Sequence, residues 1–212
     1  MSDLTETQRA FADALLTTGA VKFGAFRLKL HEKQPDAPLS PIYVDLRTLR
    51  SFPDALDEAV VTLVEMIAAR GFSFDLYADV PQAATPLVAV LSHVTRVGMI
   101  TPREAKTHGS GDAINGAFTL GQTVLVIDDL VTRAESKLEA IHVLEANGLL
   151  VRDVAVLVDR EQGGAEQLAA AGYQLHAAVT LSQLLDHWRA TGGIDEATFE
   201  RVRVYTAPSQ GR

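Results

Sequence analysis

The 212-residue chain contains no cysteine. Disulfides, thiolate nucleophiles and cysteine-held metals are therefore excluded, and the composition suits a reducing compartment. No apolar run approaches the roughly 18 residues that a membrane-spanning helix needs, so a membrane role is not expected. The opening stretch Met1 to Arg9 is polar and lacks an apolar signal core, which makes the cytoplasm the expected location. Basic residues are also scarce, 19 Lys and Arg against 27 Asp and Glu, for a net charge of −8. Extended contact with a nucleic-acid backbone is not expected of such a surface. An anionic small ligand would need a local basic site or a bound cation. Internal repeats and low-complexity segments are lacking too.

Hydrophobic residues make up 47% of the chain and charged residues 22%, the balance of a soluble globular protein. The length suits one substantial α/β domain. Residues 1–50 read as an N-terminal helix over Thr5 to Thr17 followed by a small β-containing hood. In the hood, Gly19 to Leu30 has period-2 character with a hairpin turn expected at Gly24 and Ala25, and Ile42 to Leu46 resumes as a strand. Residues 51–212 form the core. Leu56, Val60, Leu63, Val64 and Ile67 repeat at helical spacing until Gly71 stops them. Strands are expected at Phe74 to Ala78, Val97 to Thr101, Val124 to Asp128, Val154 to Val158 and Leu175 to Thr180. Helices separate them, and two more close the chain, the first of these capped by Ser182. Strands alternating with helices imply a central, mainly parallel sheet flanked by helices. Pro102 to Thr119 shows neither pattern, and a connection that long is usually functional.

The chain is organised around Val124 to Ser136, where a buried strand runs into two adjacent acids and then a helix. Ligands of open parallel sheets bind at such carboxyl ends. Asp128 and Asp129 either cap a turn and face solvent, or ligate Mg²⁺ and ribose hydroxyls. Leu130 to Ser136 would present backbone N–H groups to an anion at a helix start. Lys106 and His108 are either solvated loop residues or neutralise a departing phosphate. Arg160 either pairs with Asp159 or Glu161 at the surface, or forks onto a planar carboxylate.

Taken together, these segments resemble the orotate phosphoribosyltransferase branch of the type I phosphoribosyltransferases. The resemblance is carried by Val124 to Ser136, by Phe26-Arg27-Leu28-Lys29, by Ser40-Pro41-Ile42-Tyr43-Val44-Asp45-Leu46-Arg47, by Arg103 to Gly109, and by Asp159-Arg160-Glu161-Gln162-Gly163-Gly164. Leu175-His176 followed by Thr180-Leu181-Ser182 completes the set. It implies Mg²⁺-dependent transfer of phosphoribosyl from phosphoribosyl pyrophosphate to orotate, giving orotidine 5′-monophosphate and pyrophosphate. Lys106, Asp128 and Asp129 would be the catalytic residues, with the two acids meeting the metal through water. Lys29, Arg103, Lys106 and His108 would contact the diphosphate, and Thr132, Arg133, Ala134, Glu135 and Ser136 would hold the 5′-phosphate. Lys29, Thr132 and Arg160 would meet orotate. The resemblance also implies a homodimer in which loop 102–118 reaches the partner's site. The family's phosphate loop is rich in Gly, Ser and Thr, whereas this one reads Thr132-Arg133-Ala134-Glu135-Ser136. Ala134 would restrict a backbone that usually exploits glycine, and Glu135 would repel a phosphate unless Arg133 offsets it. Pro102 and Asp79 depart from the family's basic residue and glycine. On that loop rests a second reading, a catalytically weakened paralogue acting as a nucleotide-binding or regulatory protein.

Overall fold

The computed structural model of the chain describes residues 4–32, 34–103 and 113–206. Helix α1, Glu6–Thr17, opens with a capping box: the Gln8 N–H donates to Thr5 Oγ1 and the Thr5 N–H to Gln8 Oε1. It buries Phe11, Ala12 and Leu15. Strands β1, Val21–Phe26, and β2, Ser40–Val44, form the two-stranded antiparallel hood. The hairpin expected at Gly24 and Ala25 does not form. Gly24 lies inside β1, outside the left-handed region that a tight hairpin needs, and the ladder absorbs the break as a register shift between Phe23 and Phe26.

Helix α2, Pro53–Arg70, starts on a proline in its first turn and stops at Gly71, whose φ of 65° is left-handed. The core follows with β3, Leu76–Asp79; α3, Thr85–Thr95; β4, Met99–Pro102; β5, Ile114–Asn115; β6, Thr123–Val131; α4, Glu135–Ala146; β7, Leu150–Asp159; α5, Gly164–Ala170; β8, Gln174–Thr180; α6, Leu181–Ala190; and α7, Glu196–Thr206. Six strands make one sheet in the order β5-β4-β3-β6-β7-β8, parallel except where β5 runs against β4. Strand β5 falls within the stretch expected to lack structure, and it is two residues long, too short to show a period.

Strand β6 explains the sheet's position in the molecule. Val124 to Ile127 are buried, with Leu125 and Ile127 in the core that also holds α1, α2 and α6, and Val124 and Val126 in the core beneath α4 and α5. Each face of the strand thus feeds a different core, as a central parallel strand must. Trp188 of α6 fixes the N-terminal helix and hood to this body: its Nε1–H donates to the Ala12 carbonyl at 2.9 Å and its ring meets Phe23 edge-on at 5.9 Å. The cap of α6 is Thr180, not Ser182. Its hydroxyl accepts the Gln183 N–H while Gln183 Oε1 accepts the Thr180 N–H. The strand-to-helix change comes two residues earlier than the polarity of Ser182 suggests. Among the described residues, no helix is long and apolar enough to cross a membrane.

Candidate active site

Between β3 and β6 the order of strands reverses, since the chain leaves β3 toward β4 on one side and β6 starts on the other. The carboxyl ends of these two strands therefore frame the crevice where open α/β sheets bind ligands. Strand β6 continues past Asp128 to Val131, because β7 pairs with it all the way, Asp128 opposite Val156 and Val131 opposite Asp159. The two acids accordingly lie within the strand and point different ways.

Asp128 is 4% exposed and turned into the protein. Its Oδ1 accepts the Asp129 N–H at 2.8 Å and its Oδ2 accepts from Lys137 Nζ at 2.5 Å. Asp129 is half-buried, lines the cleft, and accepts the Leu130 N–H at 2.7 Å through Oδ1. Burial, then the charge of Asp128, push its carboxyl up to about 7. Where both acids are expected to meet a ligand, Asp128 has both oxygens occupied, whereas Asp129 keeps one free of donors among the described residues. No group of three or more His, Asp or Glu that could hold a metal occurs among the described residues. A divalent cation at Asp129 would therefore share most of its coordination with water or with a ligand's phosphates.

The loop that follows β6, Thr132 to Ala134, is braced from the far side. Gly163, at φ 92°, caps α5, and a Cβ on Gly164 would lie 2.3 Å from Val131 Cγ2 and 3.2 Å from the Thr132 carbonyl. The Gly-Gly pair thus lets α5 press directly on the loop. From α5, Gln167 Oε1 accepts the Ala134 N–H at 2.8 Å. Ala134 is buried at φ −91° and ψ −1°, a conformation open to alanine, so the expected restriction is not felt. Thr132 is half-buried, while Arg133, Glu135 and Ser136 are exposed. No ion pair joins Arg133 to Glu135 among the described residues. Glu135 instead begins α4, where its charge suits the helix dipole.

Arg160 does not pair with its neighbours. Asp159 Oδ1 accepts the Glu161 N–H, and Glu161 Oε2 accepts the Ser182 N–H. Arg160 is 6% exposed, and its buried Nε and Nη2 have no hydrogen-bond partner among the described residues. Burial lowers its pKa. Orphaned buried donors on this scale ask for an external acceptor. Arg103 likewise has a buried Nε without a partner among the described residues, while its Nη1 donates to Asn115 Oδ1 at 3.0 Å. Lys106 and His108 lie outside the described residues, as does most of loop 102–118; Lys29 belongs to a 3₁₀ turn, Lys29–Glu32, and its side chain is not described.

Sequence reasoning assigned no role to four residues, Arg47, Arg50, Asp79 and Lys137, and marked Asp79 only as a departure from the family's glycine. Arg47 and Arg50 share the cleft with Asp129 and Ala83. Arg47 is held by Asp45 through bonds of 2.6 and 2.8 Å, which raises its pKa. Its place inside the Ser40-to-Arg47 segment was the available signal. Asp79, at the end of β3, is fully buried and accepts from Thr85 Oγ1 and, at 2.5 Å, from Thr101 Oγ1. It ties the start of α3 to β4. The fourth, Lys137, was hidden in a helical pattern that never required it to be outside.

No family model matches the chain. It is 38% identical to uridine 5′-monophosphate synthase of Bos taurus over 92% of this chain and 42% of that protein. It is 34% identical to an orotate phosphoribosyltransferase of Caenorhabditis elegans, over 87% of this chain and 78% of the relative. With the orotate phosphoribosyltransferase of Thermoplasma volcanium the figures are 35%, 82% and 98%. Among solved structures, UMP synthase of Leishmania donovani matches with a TM-score of 0.82 at 35% identity, covering 94% of this chain and 42% of that one. Orotate phosphoribosyltransferase of Aeropyrum pernix gives 0.70 at 28%, covering 83% and 97%. The chain thus spans less than half the length of the two synthases and most of the length of the three orotate phosphoribosyltransferases. Its hooded, mainly parallel sheet is the type I phosphoribosyltransferase fold, and the chain belongs to the orotate phosphoribosyltransferase family.

Proposed function

We propose that the chain transfers the phosphoribosyl group of phosphoribosyl pyrophosphate to orotate. In this reaction the bond from C1 of the ribose to the diphosphate oxygen breaks, orotate N1 bonds to C1 and gives up its proton to solvent, and orotidine 5′-monophosphate and pyrophosphate leave. Positive charge builds on the ribose ring as the diphosphate departs, so the protein's task is to hold the reactants in line and to stabilise the leaving anion. The observation that carries the reading is Arg160, a buried guanidinium with two orphaned donors beside the loop that follows β6. A planar carboxylate such as orotate's answers those donors. Asp129 accepts from ribose hydroxyls, residues Thr132 to Ser136 receive the 5′-phosphate, and Arg103, Lys106, His108 and Lys29 receive the diphosphate. Asp129 would hold Mg²⁺ through water, and the ion would supply positive charge against the diphosphate. A homodimer, with loop 102–118 crossing to the partner's site, and a cytoplasmic setting complete the proposal. Incubating the protein with Mg²⁺, orotate and phosphoribosyl pyrophosphate should deplete orotate absorbance. Absence of turnover at high protein concentration would sink the reading.

A further inference from the structure

The buried pair of Lys137 and Asp128 has no part in the reaction just described, and its placement is unfavourable on general grounds. Lys137 lies in the first turn of α4, where the helix dipole disfavours a cation. Removing an ammonium from water is tolerated only against a close, well-bonded partner. That partner is Asp128, with Nζ and Oδ2 2.5 Å apart and the two side chains 5% and 6% exposed. Since the other oxygen of Asp128 accepts the Asp129 N–H, Lys137 fixes the inward acid and leaves the outward one to face a ligand. The acid pair with its lysine carries one net negative charge when Asp129 is ionised, where an uncompensated pair would carry two.

We propose that Lys137 is a built-in counter-cation of the ligand site, which lets a phosphoribosyl diphosphate bind here without a divalent cation. The inference rests on the function proposed above. An uncompensated acid pair repels the ligand's phosphates and needs a mobile cation to bridge the two. A fixed ammonium cancels one of those charges in advance and needs no ordering when the ligand arrives. In the low dielectric beneath the strand, a cancelled charge is felt more strongly than it would be in water.

Calorimetric titration of the full chain with phosphoribosyl pyrophosphate, once with Mg²⁺ and once with a chelator, tests it. Binding is expected in both conditions, with affinities within about tenfold of each other. The variant Lys137→Met, its fold checked by circular dichroism, should keep binding with Mg²⁺ but lose at least about tenfold more affinity than the wild type when the metal is removed. Wild-type binding with Mg²⁺ alone overturns the inference and leaves the proposed function standing. No binding in either condition removes the proposed function and the inference with it. Equal losses by K137M in the two conditions mark a structural lysine and also overturn it. Should K137M fail to fold, the wild-type comparison decides by itself.

Discussion

The backbone N–H of Ala134 donates to Gln167 Oε1 across 2.8 Å, joining the phosphate loop to α5. Because Ala134 is buried, its amide has no water to turn to if Gln167 is shortened. Gln167→Ala should therefore lower stability by about 1–3 kcal/mol, the cost of a stranded buried donor. Gln167→Glu keeps an acceptor but adds a negative charge behind the loop. It should melt near the wild type and bind phosphoribosyl pyrophosphate several-fold more weakly, an effect that high salt reduces. Thermal melts and calorimetry separate the two variants; equal binding by Q167E and wild type would place the phosphate elsewhere.

Gly164→Ala tests the contact between α5 and the loop by size alone. The new Cβ would lie 2.3 Å from Val131 Cγ2, with the Thr132 carbonyl at 3.2 Å, so the helix must back away. Overpacking of this kind costs about 1–3 kcal/mol. Gly164 has no positive φ, so strain in its own backbone contributes nothing. A melting temperature unchanged by G164A would show that α5 and the loop are not tightly seated.

Arg160 should act on one substrate more than the other. Replacing it by Gln removes the charge and shortens the reach to the orotate carboxylate, while leaving the phosphate loop in place. A charge-assisted hydrogen bond contributes about 1.5–3 kcal/mol, so the KM for orotate should rise by about one to two orders of magnitude. The KM for phosphoribosyl pyrophosphate should move little. Steady-state kinetics with each substrate varied in turn reads the split, and a parallel rise in both constants would assign Arg160 to the fold.

The order of elements was legible because each long element writes its own period. Leu56 to Ile67 repeats at helical spacing, and Val124 to Ile127 is a short, mostly β-branched apolar run that ends in acids, as a strand buried on both sides does. What escaped depends on partners distant in sequence. Gly24 looks like a turn residue until β2 is placed beside β1, and the ladder then carries it as a register shift. Strand β6 appears to end at its first acid, yet the pairing with β7 extends it to Val131. Asp128 and Asp129 are indistinguishable as neighbours in a string. Their places in the extended strand turn them different ways, and Lys137, nine positions later, holds the inward one. Likewise Ala134 and Glu135 look obstructive in sequence, but the backbone angles at one and the exposure of the other remove most of the difficulty.

The cap of α6 offers a stability test free of the site's chemistry. Thr180 and Gln183 exchange reciprocal bonds, whereas the Ser182 N–H donates to Glu161 and its hydroxyl makes no cap bond. Thr180→Ala should cost about 1 kcal/mol, and Ser182→Ala should stay within about 0.5 kcal/mol of the wild type. Chemical denaturation of both variants checks this, and the reverse ranking would return the cap to Ser182.

Asp129 should leave a signature in the dependence of stability on pH. Its carboxyl is pushed up to about 7 in the folded chain, from an ordinary value of 3.8, chiefly by burial and then by Asp128. Between those two values the folded state holds a proton that the unfolded state has released. Stability therefore falls as pH rises from about 4 to about 7, and the loss is complete above the folded value. Asp129→Asn removes the titrating group, so this variant should show a flatter profile and gain on the wild type toward the alkaline end of that window. Ligand binding should respond in the opposite sense, since ribose hydroxyls and Mg²⁺ both prefer the ionised acid. Affinity for phosphoribosyl pyrophosphate should thus increase through neutral pH in the wild type and stay flat in D129N. Melts and titrations across the same pH series would overturn the assignment if the two proteins gave superimposable curves.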